Sequence, residues 1–365
     1  MSLKRTPLYA AHARAGAKIV PFAGYEMPIQ YSGIVEEHRT VRQSVGVFDV
    51  SHMGEVEVRG KDALAFVQKI TVNDASRLVP GRVQYSAMCY PEGGIVDDLL
   101  VYNLGDTYML VINASNIAKD LDWMTSHLSG DVTLKNRSDE IALIALPGPR
   151  SLETLAKLTA VDLASLPYYH CVRGSLAGAE MVISRTGYTG ELGFELYFPA
   201  DVALAEKIWD LLMESGKPFG IRPVGLAARD TLRLEMGFCL YGNDIDQSTH
   251  PLEAGLGWIT KMDKGEFNGR AALLAAKEKG LTRKLVGFAM QDKAFPRHGY
   301  AIHAGGTPTG TVTSGTFSPI LDRGIGMGYV GIEHAKTGSM LEIIIRDRAV
   351  PASVVPIPFV KKSAP

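Results

Sequence analysis

The sequence predicts an α+β protein that carries a separate all-β unit at its carboxyl end. Helical and strand patterns are mixed irregularly over residues 1–280, unlike the regular alternation of a doubly wound sheet. Beyond Gly280, glycines and prolines are dense between short β-branched runs, which is typical of a small barrel. The chain has 365 residues and 46% hydrophobic content, which suits two or three structural units. We therefore expect a body at residues 1–280 and a β-barrel at residues 281–365.

Several segments show the apolar spacing of amphipathic helices. They are residues 61–70, 151–158, 202–213, 227–235 and 270–279. Ser151 and Asp201 are predicted N-caps, because their side-chain oxygens can accept hydrogen bonds from the first backbone N–H groups of a helix. Gly280 is predicted to end the last helix, since glycine readily takes the backbone conformation found at helix C-termini.

Strands are predicted where apolar and β-branched residues lie between turn residues. The segments are residues 99–102, 108–113, 181–184, 195–197, 285–289 and 341–346. Gly105 and Asp106 predict a turn between the first two. Residues 310–315 lack the lysine of a phosphate-binding loop, so they are predicted to form a strand and a turn. Residues 242–246 lack the glycine and glutamate spacing of a calcium loop and are predicted to be an ordinary loop.

The balance of charges and the cysteine count exclude several classes of protein. Lys+Arg 38 against Asp+Glu 39 argues against a nucleic-acid-binding protein. No window approaches the roughly 20 apolar residues of a membrane span, and the amino terminus lacks the apolar core of a secretory signal. Cys89, Cys171 and Cys239 are far apart, so buried unpaired thiols are expected, without a disulfide framework. We expect a cytoplasmic protein with no metal, nucleic-acid partner or membrane contact.

The pair Asp97-Asp98 lies at the head of an apolar strand, within residues 93–102. Adjacent carboxylates among apolar residues are costly to bury unless a partner or a reaction uses them. Strand alternation sends the two side chains to opposite faces, so one can enter a pocket while the other binds backbone or solvent. A turn-and-cap role for both carboxylates is an equal alternative on this evidence.

Residues 184–196 form a second candidate segment, in which three glycines permit sharp turns. Glu195 lies between Phe194 and Leu196, so its side chain faces away from theirs on a strand. A carboxylate placed in this way can accept two N–H hydrogen bonds from a planar amino-heterocycle. On this segment alone a strand glutamate that faces solvent is the favoured interpretation, because glutamate is rarely buried.

Other charged residues have plain structural interpretations. In the helix predicted at residues 227–235, Arg229, Arg233 and Glu235 can form surface ion pairs worth about 0–1 kcal/mol each. His52 has no identified partner, so a structural histidine is favoured over a general base. Motifs for nucleotide binding, zinc peptidases and α/β-hydrolases are absent from the sequence.

Together these segments resemble the folate-dependent aminomethyltransferases, the T proteins of the glycine cleavage system. The similarity follows the family order over nearly the whole chain. It is carried by residues 5–9, 16–28, 47–54, 93–102, 184–196, 225–235, 251–258 and 311–319. Each block is weak alone, whereas the set is highly specific.

The resemblance implies a folate-binding body of two intertwined α/β domains, followed by a C-terminal β-barrel. It implies transfer of a one-carbon unit from an aminomethyl group on the lipoyl arm of the H protein to tetrahydrofolate. The implied products are 5,10-methylenetetrahydrofolate, dihydrolipoyl H protein and ammonia. The lipoylated H protein is therefore the expected partner, tetrahydrofolate is the expected co-substrate, and the H protein supplies the lipoyl group.

The resemblance also implies roles for individual residues. Asp98 matches the catalytic aspartate of the family, which steers the reacting folate amine and its proton. Glu195 and Arg229 match the pterin-binding pair. Positions that match the lining of the folate cavity are Met53, Tyr85, Tyr102, Asn113, Tyr188 and Trp258. Arg297 matches an arginine near the entry for the lipoyl arm, with a plain surface charge as the alternative.

Two features depart from the family pattern, and two relatives of the same fold are alternatives. Tyr25 stands where many members carry tryptophan, and the short tail makes Lys361 or Lys362 only a candidate contact for the folate glutamate. A folate-dependent demethylase of a methylated amine or sulfonium compound would share the folate pocket. A folate-binding maintenance protein for iron–sulfur clusters is disfavoured, because its Lys-Gly-Cys signature is absent around Cys239.

Overall fold

The computed structural model describes residues 3–361. Its helices are α1 (Tyr9–Arg14), α2 (Ile34–Gln43), α3 (Ala63–Ile70), α4 (Ile117–Ser126), α5 (Ser151–Leu155), α6 (Val202–Gly216), α7 (Leu226–Glu235) and α8 (Arg270–Lys279). The strands before α5 are β1 (Lys18–Phe22), β2 (Tyr25–Gln30), β3 (Gly46–Asp49), β4 (Gly54–Arg59), β5 (Val83–Cys89), β6 (Ile95–Asn103), β7 (Tyr108–Ile112), β8 (Thr133–Asn136) and β9 (Ile141–Pro147). The strands after α5 are β10 (Cys171–Leu176), β11 (Ala179–Ser184), β12 (Gly193–Pro199), β13 (Arg222–Pro223), β14 (Arg283–Met290), β15 (Ala301–Ala304), β16 (Thr307–Ser318), β17 (Arg323–Gly331), β18 (Met340–Ile345) and β19 (Arg348–Val355).

The body contains two sheets that the chain visits in turn. The six-stranded sheet has the order β10-β11-β12-β9-β3-β13, and the five-stranded sheet has the order β5-β6-β7-β4-β8. Strands β3 and β4 follow each other in sequence but belong to different sheets, so residues 50–53 cross between them. The chain returns to the first sheet at β9. This double crossing intertwines the two halves of the body and places His52 and Met53 at their junction.

Each sheet buries one face against helices, and the remaining faces meet near α7. Trp209 of α6 packs into the core of the six-stranded sheet. Phe66 of α3 packs into the core of the five-stranded sheet. A further cluster, which includes Phe48, Tyr102 and Leu232, fills the space between the two sheets and α7. The apolar side chains of this cluster contact both sheets and are removed from water, which stabilises the two halves of the body as one unit.

The C-terminal unit is a closed antiparallel barrel with the order β14-β17-β16-β15-β18-β19. Glycines allow close approach of its strands: a Cβ atom at Gly310 would lie 1.7 Å from the carbonyl oxygen of Tyr329. The α+β class with a C-terminal barrel is therefore confirmed. Helix α8 ends at Lys279 and β14 begins at Arg283, and we propose residue 280 as the domain boundary between them.

The predicted helix ends match the structure in part: α3 begins at Ala63 and not at residue 61, and α6 continues to Gly216 beyond residue 213. The Asp201 side chain accepts a hydrogen bond from the backbone N–H of Leu204 at 2.8 Å, and Gly280 follows α8 with φ +82°. The N-cap predicted at Ser151 is wrong, because Ser151 is already the first residue of α5. The helix also ends at Leu155 and not at residue 158, since Thr159 turns to form a β-bridge with Leu176.

Two of the residues expected in surface ion pairs are buried instead. Arg233 bonds to Asp244 at 2.6 Å and to the Ser314 hydroxyl at 2.8 Å. Glu235 accepts a hydrogen bond from the Ser318 hydroxyl at 2.5 Å. Ser314 and Ser318 belong to the barrel and Asp244 to the segment that follows α7, so the two serine contacts join α7 to the barrel. The surface interpretation was wrong because their partners are distant in sequence.

The cysteines behave as the sequence predicts. Cys89, Cys171 and Cys239 are buried and unpaired, and burial raises the thiol pKa of each. Within residues 3–361, none of the helices combines the length and apolar character needed to cross a membrane.

Candidate active site

A cavity of about 1630 Å³ lies where both sheets of the body, helix α7 and the barrel meet. Its wall includes Met53 at the crossover, Asp98 on β6, Glu195 on β12, Arg229 on α7 and Arg297 in the barrel. Pockets for a single small ligand usually measure about 300–1,000 Å³. The cavity therefore has room for two reacting groups at once.

Asp98 is held at the cavity wall by two donors. Its Oδ2 accepts a hydrogen bond from the Tyr85 hydroxyl at 2.9 Å, and its Oδ1 accepts one from Nδ2 of Asn113 at 2.9 Å. Burial and the neighbouring charge of Asp97 raise the pKa of Asp98 to about 7, although both hydrogen bonds lower it. A carboxyl group with this pKa can take up or release a proton near neutral pH.

Asp97 points away from the cavity and is fully buried. One oxygen accepts from the backbone N–H of Asn113 at 3.0 Å, and the other accepts from Nδ2 of Asn113 at 2.9 Å and Nδ2 of Asn116 at 2.7 Å. Three donors compensate the desolvation of this carboxylate. Because Asn113 also bonds Asp98, it fixes the two acids relative to each other.

Asp120, in the first turn of α4, is a third buried acid next to Asp97. Burial and the charge of Asp97 raise the pKa of Asp120 to about 10, although the charge of Lys119 lowers it. Nζ of Lys119 lies 3.2 Å from its Oδ1. We infer that Asp120 is neutral, because it is buried next to Asp97 and neither of its oxygens has a hydrogen-bond partner among the described residues.

Glu195 is supported from behind by buried hydroxyl groups. The Thr186 hydroxyl donates to Oε2 of Glu195. The Tyr102 hydroxyl lies 3.1 Å from that of Thr186 and 2.9 Å from that of Tyr197. Burial raises the pKa of Glu195, whereas the hydrogen bond from Thr186 and the positive charge of Arg229 lower it.

Arg229 faces Glu195 across the same end of the cavity, which we call the Glu195–Arg229 end. Its guanidinium carbon lies 4.7 Å from the centre of the Tyr188 ring, a cation–π contact. A buried carboxylate beside a guanidinium can recognise a planar heterocycle that offers N–H donors and a carbonyl acceptor. The donor set, the aromatic lining and the volume therefore fit the pterin end of a folate. Across residues 3–361, no group of three or more His, Cys, Asp or Glu side chains is arranged to hold a metal ion.

The structure brings nearly all of the residues predicted for the site into one cavity. Those that line it are Met53, Tyr85, Asp98, Asn113, Tyr188, Glu195, Arg229, Trp258 and Arg297. The prediction that Tyr102 lines the cavity is wrong. Tyr102 is fully buried behind the cavity wall, where its hydroxyl bonds to Thr186 and Tyr197. Lys361 is exposed and does not line the cavity, and Lys362 lies outside the described residues.

Three residues near the site were not predicted from the sequence. Tyr197 lines the cavity two positions after Glu195, so strand alternation could have placed it on the same face. Asn116 follows Asn113 by three residues and, like Asn113, donates a hydrogen bond to Asp97. No local sequence pattern predicts this contact. His52 also lines the cavity.

Comparisons with known families agree with this architecture. The family model described as GCVT N-terminal domain matches residues 8–264. The model described as glycine cleavage T-protein C-terminal barrel domain matches residues 283–361. The chain belongs to the glycine cleavage T-protein family.

Members of this family resemble the chain over its full length. The aminomethyltransferase of Halothermothrix orenii is 53% identical over 98% of this chain and 100% of that protein. The aminomethyltransferase of Flavobacterium psychrophilum is 55% identical over 99% of this chain and 100% of that protein. The crystal structure of glycine cleavage system aminomethyltransferase T from Bartonella henselae superimposes with a TM-score of 0.92, at 34% identity and 99% coverage of both chains. These similarities favour an aminomethyltransferase over the demethylase and maintenance alternatives.

Proposed function

We propose that this T-protein family member transfers a one-carbon unit to tetrahydrofolate from the aminomethyl-lipoyl arm of an H protein. The products are 5,10-methylenetetrahydrofolate, dihydrolipoyl H protein and ammonia. One observation carries the proposal. Asp98, with a pKa of about 7, shares a cavity with the Glu195–Arg229 pair, so a proton-accepting group and a heterocycle-binding pair face the same space.

Glu195 and Arg229 are proposed to hold the pterin ring. The Thr186 hydroxyl fixes one oxygen of Glu195, which orients the carboxylate toward the cavity. The guanidinium of Arg229 lies over the Tyr188 ring, and we propose that its N–H groups donate to the ligand. Tetrahydrofolate supplies the nucleophilic nitrogen of the reaction. Met53, Tyr188 and Trp258 are proposed to pack against the remaining rings of the folate.

Asp98 is proposed to orient the reacting amine and to accept its proton. Tyr85 and Asn113 donate to the carboxylate from the protein side, which leaves lone pairs directed into the cavity. Because an aminomethyl carbon attached to sulfur is already electrophilic, positioning and charge stabilisation are sufficient for catalysis. Proton transfer of this kind typically contributes about 10²–10⁴-fold to a rate.

The barrel side of the cavity is the proposed entry for the lipoyl arm. Arg297 is exposed and also lines the cavity, so it lies where an arm carried by another protein can enter. This position is the reason for proposing the lipoylated H protein as the partner. We also propose a cytoplasmic location, since the three cysteines are buried thiols without disulfide partners.

The test is an assay of ammonia release from aminomethyl-loaded H protein, with and without tetrahydrofolate. We expect strong tetrahydrofolate-dependent release together with formation of 5,10-methylenetetrahydrofolate. Folate binding without that release would overturn the proposed reaction while leaving the pocket assignment intact. Lipoate-free H protein serves as the control, because it offers no aminomethyl group.

A further inference from the structure

Lys264 places its amino group among several carbonyl oxygens of a distant segment. It is the last residue of a short 3₁₀ turn, Met262–Lys264, that precedes α8. Its Nζ donates to the backbone carbonyls of Gln68 at 2.6 Å, Thr71 at 2.5 Å and Asn73 at 2.8 Å. The side-chain carbonyl of Gln68 lies 3.3 Å away. All four of these acceptors are therefore uncharged oxygens.

The number of acceptors indicates that Lys264 is charged in this place. Burial lowers the pKa of Lys264 to about 7, whereas the charge of Asp74 raises it. Three backbone carbonyls at 2.5–2.8 Å need three N–H donors, and only the ammonium form supplies three. Gln68 and Thr71 also lie at the C-terminal end of α3, where a positive charge is favourable. Lys264 therefore acts as a fixed cation.

A turn at residues 71–73, which we call the β5-edge turn, covers the outer edge of β5. Strand β5 is the last strand of its sheet, so another strand of that sheet pairs with it on one side only. On the other side, the backbone N–H of Val72 donates to the carbonyl of Ala87 at 2.9 Å. Nδ2 of Asn73 donates to the carbonyl of Tyr85 at 2.8 Å. The turn thus satisfies backbone groups that an edge strand would otherwise leave open.

Tyr85 connects this edge to the reaction centre. Its hydroxyl donates to Oδ2 of Asp98 at 2.9 Å, so the position of β5 sets one of the two hydrogen bonds that hold the carboxylate. Its ring lies 6.2 Å from that of Trp258. The backbone N–H of Lys261 donates to a carbonyl of the β5-edge turn at 2.9 Å. The turn is therefore bonded both to β5 and to the segment that carries Trp258 and Lys264.

We propose that Lys264 is a positioning residue for the reaction, which acts on Asp98 through the β5-edge turn and Tyr85. The ammonium group holds the carbonyls of the turn together, so the turn keeps its bonds to β5 and Tyr85 keeps its bond to Asp98. The inference rests on the proposed function, since it takes Asp98 to accept a proton in the one-carbon transfer. Lys264 itself does not line the cavity, so its loss should affect turnover more than folate binding.

Two substitutions separate the charge of Lys264 from the rest of the side chain. Lys264→Met removes the ammonium group and fills the space with an unbranched apolar side chain. Lys264→Ala leaves the space open, and carbonyl oxygens can bind a potassium ion there in place of its hydration shell. Lys69→Met is the matched control, because Lys69 is exposed in the last turn of the same helix α3.

The measurement is the single-turnover rate of 5,10-methylenetetrahydrofolate formation from aminomethyl-loaded H protein at saturating tetrahydrofolate. We expect Lys264→Met to lower this rate by about tenfold, as for loss of one hydrogen bond to Asp98. The dissociation constant of tetrahydrofolate, measured by calorimetry, should stay within about threefold of the wild type. Lys69→Met should behave as the wild type.

A double variant and a salt comparison identify the route of the effect. Tyr85→Phe removes the hydroxyl that bonds Asp98. Adding Lys264→Met to Tyr85→Phe should lower the rate no further, because both changes remove the same hydrogen bond. Potassium chloride should raise the rate of Lys264→Ala and leave that of Lys264→Met unchanged. Choline chloride at equal concentration controls for ionic strength.

Other results would overturn the inference in distinguishable ways. If Lys264→Met reacts at the wild-type rate, the ammonium group does not position Asp98, and the proposed function stands. If the two rate losses multiply in the double variant, Lys264 does not act through Tyr85. If both Lys264 variants lose rate only in proportion to their unfolded fraction, or if potassium and choline act alike on Lys264→Ala, Lys264 is not a positioning cation. If the wild type shows no tetrahydrofolate-dependent turnover, the proposed function fails and this inference fails with it.

Discussion

Replacing Asp120 by asparagine is expected to stabilise the folded protein, and to do so increasingly as the pH rises. The pKa of Asp120 is raised from 3.8 to about 10 by burial and by Asp97. Above pH 3.8 the unfolded chain releases this proton while the folded protein keeps it, so the stability of the wild type falls as the pH rises toward 10. Asparagine is uncharged at every pH, so Asp120→Asn removes this loss of stability.

The size of the effect follows from the width of this pH window. Each unit of pH above the unfolded pKa costs the wild type up to about 1.4 kcal/mol, because the folded acid must stay protonated. The advantage of Asp120→Asn should therefore be close to zero at pH 4 and rise to at most about 4 kcal/mol at pH 7. An effect of this size is a large part of the stability of a typical domain.

The assay is urea unfolding at pH 5, 6, 7 and 8, followed by tryptophan fluorescence. Asp122→Asn is the matched control, since Asp122 is exposed on the same helix and should change stability by no more than about 0.5 kcal/mol. A stability difference that does not depend on pH would refute the reasoning. So would a destabilised Asp120→Asn, which would mean that Asp120 is ionised and paired with Lys119 at 3.2 Å.

The remaining predictions concern the cavity. Asp98→Asn should lower turnover by about 10²-fold or more while the dissociation constant of tetrahydrofolate stays nearly constant; wild-type turnover would remove Asp98 from the mechanism. Asp97→Asn should remove the charge that raises the pKa of Asp98, so the rise of turnover with pH should move to lower pH; an unmoved profile would contradict this coupling. Glu195→Ala should weaken tetrahydrofolate binding, measured by calorimetry, more than it lowers the single-turnover rate at saturating folate. The reason is that the contact of Glu195 with the ligand is the same in the ground state and the transition state. An unchanged dissociation constant would show that Glu195 does not bind the pterin.

Local patterns in the sequence predicted the elements that carry the site. Strand alternation separates Asp97 from Asp98, and the structure places the first among amide donors and the second at the cavity. The same alternation turns Glu195 away from its apolar neighbours. These predictions succeed because the direction of a side chain on a strand depends on the backbone of a few adjacent residues.

Other features could not be derived from local patterns. Arg233 looks like a surface charge on an amphipathic helix, but it is buried by Asp244 and by Ser314 of the barrel. Tyr102 has the residue type of a cavity wall, yet its hydroxyl is used by Thr186 behind the wall. Each outcome depends on a partner many positions away, and the hydrogen bond forms only after the sheets have packed.

The sequence by itself therefore determined the α+β class, the C-terminal barrel, the family and a small set of residues that the structure brings to the cavity. Those properties depend on residue types and on their spacing along the chain. They are recognised from local patterns or by comparing the sequence with a family position by position. Tertiary structure alone decided that residues 50–53 cross between the sheets, that burial next to Asp97 raises the pKa of Asp120, and that Nδ1 of His52 is buried without a hydrogen-bond partner among the described residues. Burial and charge at these positions arise from segments brought together by packing, and no spacing along the chain encodes such proximity directly.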